Sequence, residues 1–135
     1  MQRSLFIVKP DAVRRNHIGR ILSFLEEAGI QVVAMKMVHL SAKEARGFYK
    51  VHEGKDFLDT LAEYMSSGRC VVTVVEGDGV IERVRSICGA TDPANAAEGT
   101  IRATFGISLT MNSVHASDST ASADYEIGFF FPDVD

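Results

Sequence analysis

Asn112-Ser113-Val114-His115-Ala116-Ser117-Asp118-Ser119 sets one histidine among short polar side chains, just ahead of a segment that carries Glu126. A neutral imidazole can attack an electrophile through one ring nitrogen when the other is held by a partner that fixes the tautomer and stabilises the developing charge. Glu126 is of the right type to be that partner. Asn112, Ser117 and Ser119 add donors and acceptors at what reads as a strand-to-helix junction, where free backbone N–H groups attract anions. Two plainer readings stand beside this one. A lone histidine in a polar loop is usually just solvated, and Ser-Asp-Ser before a helix is an ordinary N-cap cluster. Taken alone, the loop reads as an anion or phosphate site and no more.

The elements that would position such a site have to come from 135 residues, of which 46% are hydrophobic and 24% charged. That is the composition of a globular protein, long enough to bury a core without disulfides or a structural metal, and one domain over residues 1–135 is expected. No apolar run approaches the ~20 residues of a membrane helix. Met1-Gln2-Arg3-Ser4 leads straight into a short strand-like run instead of a signal peptide's longer apolar region, so a cytoplasmic protein without a membrane partner is expected. Cys70 and Cys88 lie inside apolar segments and lack Cys-x-x-Cys or His-rich spacing, which reads as buried reduced thiols. The net charge of −4 argues against general nucleic-acid affinity. An anionic ligand must therefore meet a local cluster of positive charge.

Leu5-Phe6-Ile7-Val8 reads as a strand that Lys9-Pro10-Asp11 stops, because proline lacks the N–H a ladder needs yet suits a helix's first turn. Ile18, Ile21, Leu22 and Leu25 mark one face of a helix ending at Gly29, with Val13 close to the same stripe. From Ile30 to Leu40 the apolar residues thin to near alternation, the pattern of a strand covered mainly on one side. Ser41 and Glu44 form a capping box that opens a helix through Phe48 and Tyr49, and a second short helix around Asp59 to Ser66 ends at Gly68. Cys70 to Val75 is nearly continuous and β-branched, a central strand buried on both faces. Gly77-Asp78-Gly79 turns it into a helix with Val80, Ile81, Val84, Ile87 and Cys88 inward; this glycine pair lacks the third glycine of a dinucleotide fingerprint. Gly89 to Met111 shows no sustained period and reads as a long functional loop. Val114 gives a very short strand into the His115 loop, and a last helix runs from about Thr120 to Gly128, followed by Phe129-Phe130-Phe131. With the helical hairpin taken as an insertion, the order is β-α-β-β-α-β. Without the hairpin and the last helix that motif is an antiparallel sheet with helices on one face. The expected class is an α+β, ferredoxin-like sandwich with helices packed on a four-stranded antiparallel sheet, a helical-hairpin insertion and a long loop before the last strand.

The chain has no Gly-x-x-x-x-Gly-Lys-[Ser/Thr] loop and no protein-kinase catalytic loop, so phosphates would have to be held by separated side chains, with Lys9, Arg85 and Arg102 as candidates. Lys9-Pro10-Asp11 after a first strand, Gly89-Ala90-Thr91-Asp92-Pro93, Glu98-Gly99-Thr100-Ile101-Arg102 and Asn112-x-x-His115-x-Ser117-Asp118-Ser119 follow one another in register. In this order, across essentially the whole chain, the sequence resembles the nucleoside diphosphate kinases. The resemblance implies a ping-pong transfer in which His115 takes the terminal phosphate of a nucleoside triphosphate, typically ATP, and passes it to a nucleoside diphosphate. It places Lys9 and Asn112 at the phosphate or sugar end, Arg85, Thr91 and Arg102 on the phosphate chain, and Tyr49 beside the histidine. Glu126 then orients the imidazole, Ser117 bonds to that carboxylate and the transferred group, Phe57 stacks on the base and Leu109 covers its other face. Magnesium is implied through the nucleotide's phosphates, with Asp118 reaching it through water, and no protein metal cage is visible.

The resemblance also implies a homo-oligomer. This chain ends soon after Phe131, short of the tail that joins subunits in some members, so dimer, tetramer and hexamer stay open. Ala116 stands where many members have glycine, Asp56 where many have proline and Arg69 where proline often follows Ser-Gly. Ala116 adds a Cβ beside the nucleophile and needs a backbone an L-residue can hold; activity is expected to survive it. His17, His39 and His52 lie in no matching motif. An alternative in another class is a nucleotide-binding regulatory module without phosphotransfer, which would need the basic and aromatic positions but have no use for His115 paired with Glu126. An interaction protein built on an inactive copy is a third, weaker reading.

Overall fold

The computed structural model describes residues 1–50, 54–55 and 57–134, so His52 and Asp56 lie outside the described residues. Its centre is the β-branched run that the sequence marks as buried: β3 (Arg69–Gly77) pairs antiparallel with β1 (Gln2–Val8) on one side and with β2 (Gln31–His39) on the other. The short β4 (Val114–Ala116) completes the sheet against β1, in the order β2-β3-β1-β4. Strand β1 starts earlier than its apolar run because Arg3 pairs across to Glu76 with Nε 3.2 Å from Oε1.

Side chains alternate between two buried clusters, one on each face of this sheet. Phe6, Val8, Val71 and Val75 face α1 (Pro10–Arg14), α2 (Ile18–Glu27) and α5 (Val80–Cys88) through Ala12, Ile21, Leu25, Val80 and Val84. Leu5, Ile7, Cys70, Val72 and Val74 face α3 (Ala42–Phe48), α4 (Phe57–Met65) and the end of α7 (Thr120–Phe130) through Ala45, Phe48, Ala62, Met65 and Phe130. The βαββαβ order is as the sequence implies. The motif by itself has helices on one face; the inserted hairpin α3/α4 and the last helix, which lie outside it, close the other. That explains why Cys70 to Val75 is apolar at every position save Thr73: both its faces are covered. Both thiols are buried and unpaired with each other, and burial pushes Cys70 up to about 12 and Cys88 up to about 11.

Two local expectations differ from what forms. Val13 does not continue the α2 stripe, because Asn16 at φ +61 turns the chain between α1 and α2. The segment after Gly89 is not all loop: a 3-10 turn at Pro93–Asn95 and α6 (Ile101–Phe105) form within it, α6 being capped by Thr100 Oγ1 accepting from the Ala103 N–H. Strand β2, at the sheet edge and bulged between Val32 and Ala34, is covered on one side as expected: Ala34 and Val38 pack against the core while Met35 and Met37 on the other face stand open, 53% and 50% exposed.

Candidate active site

Strand β4 pairs with β1 so that His115 lies opposite Ile7, on the sheet face covered by α3 and α7. Lys9 leaves the end of β1 immediately beside it, its backbone N–H bonded to Ser113 O at 2.8 Å. Helix α7 starts at an N-cap where Ser119 Oγ accepts from the Ser122 N–H, and it carries Glu126 back over β4. The outcome is a contact of 2.9 Å between His115 Nε2 and Glu126 Oε1. The same Oε1 accepts from Ser117 Oγ at 2.7 Å, and Ser117 Oγ in turn accepts from the Leu5 N–H at 3.0 Å. A carboxylate can only accept here, so Nε2 carries the hydrogen and Nδ1 is left with the lone pair. Phe48 and Tyr49 meet the imidazole edge-on, with ring centroids at 5.3 and 6.1 Å, which fixes its plane from a second direction.

A cavity of about 600 Å³ opens at this histidine. Lys9, Tyr49, Phe57, Arg85, Thr91, Arg102, Leu109, Asn112, Asp118 and Glu126 all line it with His115. Ser117 does not: it is fully buried behind Glu126. Phe57 (48% exposed) and Leu109 (61%) stand at the open side. Lys9 is buried at the inner end, its Nζ donating to Asn112 Oδ1 at 2.8 Å, while Asn112 Nδ2 donates to Thr91 O at 2.9 Å. Arg102 Nη1 and Nη2 donate to Gly89 O at 3.0 Å and Val114 O at 2.9 Å, tying α6 to β4. Burial lowers the Lys9 ammonium to about 8, with the Arg102 charge pushing the same way. Asp118 is held below the ordinary carboxylate range, chiefly by the hydrogen bond from Ser122 Oγ.

Ala116 sits in extended β4 backbone opposite Phe6, packed into the core at 8% exposure, so its Cβ meets no φ restriction. The positive φ in this loop belongs to Ser113, at +75°. Phe48, Lys55 and Leu61 also border the cavity or the histidine, with Lys55 Nζ 5.8 Å from the Phe57 ring centroid. Sequence reading did not single them out as site residues. The signal for Phe48 was its position next to Tyr49 in a capped helix, which reads equally well as core.

The family model described as nucleoside diphosphate kinase matches residues 2–135. The chain belongs to the nucleoside diphosphate kinase family. Among similar proteins, the nucleoside diphosphate kinase of Chlamydia felis is 53% identical over 97% of this chain and 93% of its own length. That of Syntrophotalea carbinolica is 52% identical over 100% and 98%. The crystal structure of the Aquifex aeolicus nucleoside diphosphate kinase superposes with a TM-score of 0.95 at 45% identity, covering 96% of this chain and 94% of that one. The chain is thus a phosphotransferase that acts on nucleotides, with a ferredoxin-like α+β fold.

The depressed Lys9 makes the inner end of the cavity sensitive to alkali. Below pH 8 the ammonium is charged and can pair with a phosphate; as the pH rises through that value the unliganded site loses the charge, and an unfolded lysine would keep it to about 10.5. Nucleoside diphosphate affinity should therefore fall as pH is raised from 7.5 to 10, and Lys9→Arg should flatten the dependence because arginine stays protonated. Calorimetric titrations of both proteins across that range check this; parallel slopes would contradict it.

Proposed function

We propose that this chain, acting as one catalytic domain over residues 1–135, moves the terminal phosphate of a nucleoside triphosphate, typically ATP, to a nucleoside diphosphate through a phosphohistidine on His115. The observation that carries the reading is the 2.9 Å bond from His115 Nε2 to Glu126, at the wall of a cavity also lined by Lys9, Arg85 and Arg102. In the first half reaction Nδ1 gives its electron pair to the terminal phosphorus. The bond from that phosphorus to the bridging oxygen breaks, and the diphosphate leaves with the pair. The imidazole becomes cationic and keeps its Nε2 proton, and the Glu126 carboxylate offsets the charge; hydrogen bonds to charged groups are worth roughly 1.5–3 kcal/mol. In the second half reaction the terminal oxygen of another diphosphate attacks the same phosphorus and the electron pair returns to Nδ1. The site is used twice, so the first product must leave before the second substrate enters.

Lys9, Arg85 and Arg102 would neutralise the phosphate oxygens, with Asn112 and Thr91 holding Lys9 in place, and Tyr49 would limit movement of the imidazole. Phe57 and Leu109 would enclose the base by stacking and apolar contact, which any base satisfies, so broad base tolerance follows. Magnesium arriving with the nucleotide would supply charge neutralisation at the phosphates. The donor set fits a cation that arrives in this way. Asp118 is a cavity carboxylate not tied to the histidine, able to reach the ion through water, and among the described residues no group of three His, Cys, Asp or Glu could hold a metal unaided.

A cytoplasmic location is part of this reading; reducing conditions there suit two buried thiols. No helix of the described residues is long and apolar enough to cross a membrane. A homo-oligomer is supported by the β2 edge, where Val32, Val33, Met35 and Met37 lie open beside backbone groups that pair with no described strand.

Two experiments test these readings. Brief incubation with γ-labelled ATP should give a covalently labelled protein whose label is acid-labile, passes to several different diphosphates and is absent in His115→Ala. Glu126→Gln should slow labelling about 10- to 100-fold with nucleotide affinity nearly unchanged. Label in His115→Ala, or saturable nucleotide binding without any label, would sink the mechanism and favour a regulatory binding module. For assembly, sedimentation should report a multiple of the 14.7 kDa protomer, reduced by Met35→Lys with Met37→Lys. A monomeric parent would contradict it.

A further inference from the structure

Asp11 has no part in the chemistry described so far, yet it is the most heavily engaged carboxylate near the site. Its side chain is 2% exposed. Tyr64 from α4 donates its hydroxyl to Oδ1, Arg15 Nη2 reaches Oδ2 at 3.0 Å, and Ser113 Oγ donates to the same Oδ2 at 3.2 Å. The Asp11 N–H donates to Tyr64 Oη at 2.6 Å, and burial together with Asp11 pushes the Tyr64 hydroxyl pKa up, which keeps it a donor. Arg15 is itself fixed by the carbonyls of Asp11 at 3.1 Å and Phe105 at 2.5 Å. A buried carboxylate with this many donors is a rigid anchor.

One of those donors is held in an unfavourable conformation. Ser113 is fully buried at φ +75, a region that a residue with a Cβ rarely adopts. It is the hinge between Asn112, which holds Lys9 Nζ, and β4, which carries His115. Its carbonyl accepts the Lys9 N–H, and the Val114 N–H closes a tight turn back to Asn112 O at 2.9 Å. A change of φ at this one residue would turn the Asn112 side chain away from Lys9 and alter the angle at which β4 presents the imidazole. The hydroxyl of Ser113 reaches Asp11, and that bond opposes such a change.

We propose that Asp11 is a positioning residue that, through Ser113 Oγ, holds the turn before His115 in its left-handed conformation and so sets the approach of the imidazole to the phosphate. Tyr64 and Arg15 hold Asp11. The inference rests on His115 being the nucleophile. Its signature is conformational: if the turn relaxes, only the fraction of molecules with Ser113-like geometry can react, and the transfer rate falls by that fraction. Nucleotide capture at Phe57 and Arg85 does not pass through the turn, so affinity should change less than rate even as Asn112 loosens from Lys9.

Alanine and glycine at position 113 separate this from a plain loss of packing. Ser113→Ala removes the hydroxyl and keeps the Cβ that disfavours φ +75, whereas glycine takes that φ freely. Single-turnover formation of phosphoenzyme from γ-labelled ATP is the readout, with nucleotide dissociation constants and thermal midpoints measured alongside. Ser113→Ala should be slower than the parent by about tenfold or more, Ser113→Gly should recover to within about threefold, and dissociation constants should stay within about threefold in both. Asp11→Asn should slow the parent but add little to Ser113→Gly, because its effect runs through the lost hydroxyl. Equal rates in the alanine and glycine variants, or an Asp11→Asn loss of the same size in both backgrounds, would overturn the proposal. A parent whose label survives His115→Ala would instead overturn the nucleophile reading beneath it, so the two failures are distinct.

Discussion

The structure turns on one proton, the hydrogen of His115 Nε2, held against Glu126 Oε1 at 2.9 Å. An imidazole with either nitrogen protonated at random would attack half the time at best and would leave the charge it gains unpaired. Fixing the proton on Nε2 reserves the Nδ1 lone pair and places a negative charge where the positive one will develop. Much of the fold serves that single contact. Helix α7 carries the carboxylate, β4 carries the imidazole, and β1 holds both: it pairs with His115 through Ile7, and the Leu5 N–H anchors the Ser117 hydroxyl that braces Glu126. The aromatic cluster at the end of α7 continues the bracing, since Phe130 packs on Phe48 at 5.1 Å and Phe48 on His115.

Around this contact a protein of net charge −4 concentrates cations. They are not equivalent. Arg85 is exposed where it lines the cavity. Arg102 gives donors from both its terminal nitrogens to backbone carbonyls, so the charge it offers a ligand also fastens α6 to β4. Lys9 is buried beside His115 and loses part of its affinity for its proton, a cost that an anion bound at the cavity's inner end would offset. In the proposed site, Lys9 and Arg102 would thus serve binding and rigidity together.

The long-range features were legible because their physics is periodic. The β-branched run at 70–75, the Ile18 to Leu25 stripe and the Ser41–Glu44 capping box each repeat or pair within a few residues, and all three formed. What escaped was short or depended on distant partners. Helix α6 has five residues, too few for a period to show, and its start rests on one threonine cap. That the hairpin and α7 would cover the second sheet face follows from packing, which no local pattern records. In the loop at His115, attention belongs on Ser113 rather than Ala116: the alanine lies in extended backbone, while the serine's left-handed turn and its bond to Asp11 span most of the chain in sequence. Phe48 was hidden for a related reason, since a core aromatic and an aromatic that orients an imidazole look the same in sequence.

The most direct test of the central contact is the identity of the phosphorylated ring nitrogen. Phosphoenzyme prepared from labelled triphosphate, kept at alkaline pH and examined by nitrogen-coupled phosphorus NMR, should carry its phosphate on Nδ1 of His115, because Glu126 holds the other nitrogen. Phosphate on Nε2 would mean that the Glu126 contact breaks before transfer, and would contradict the account.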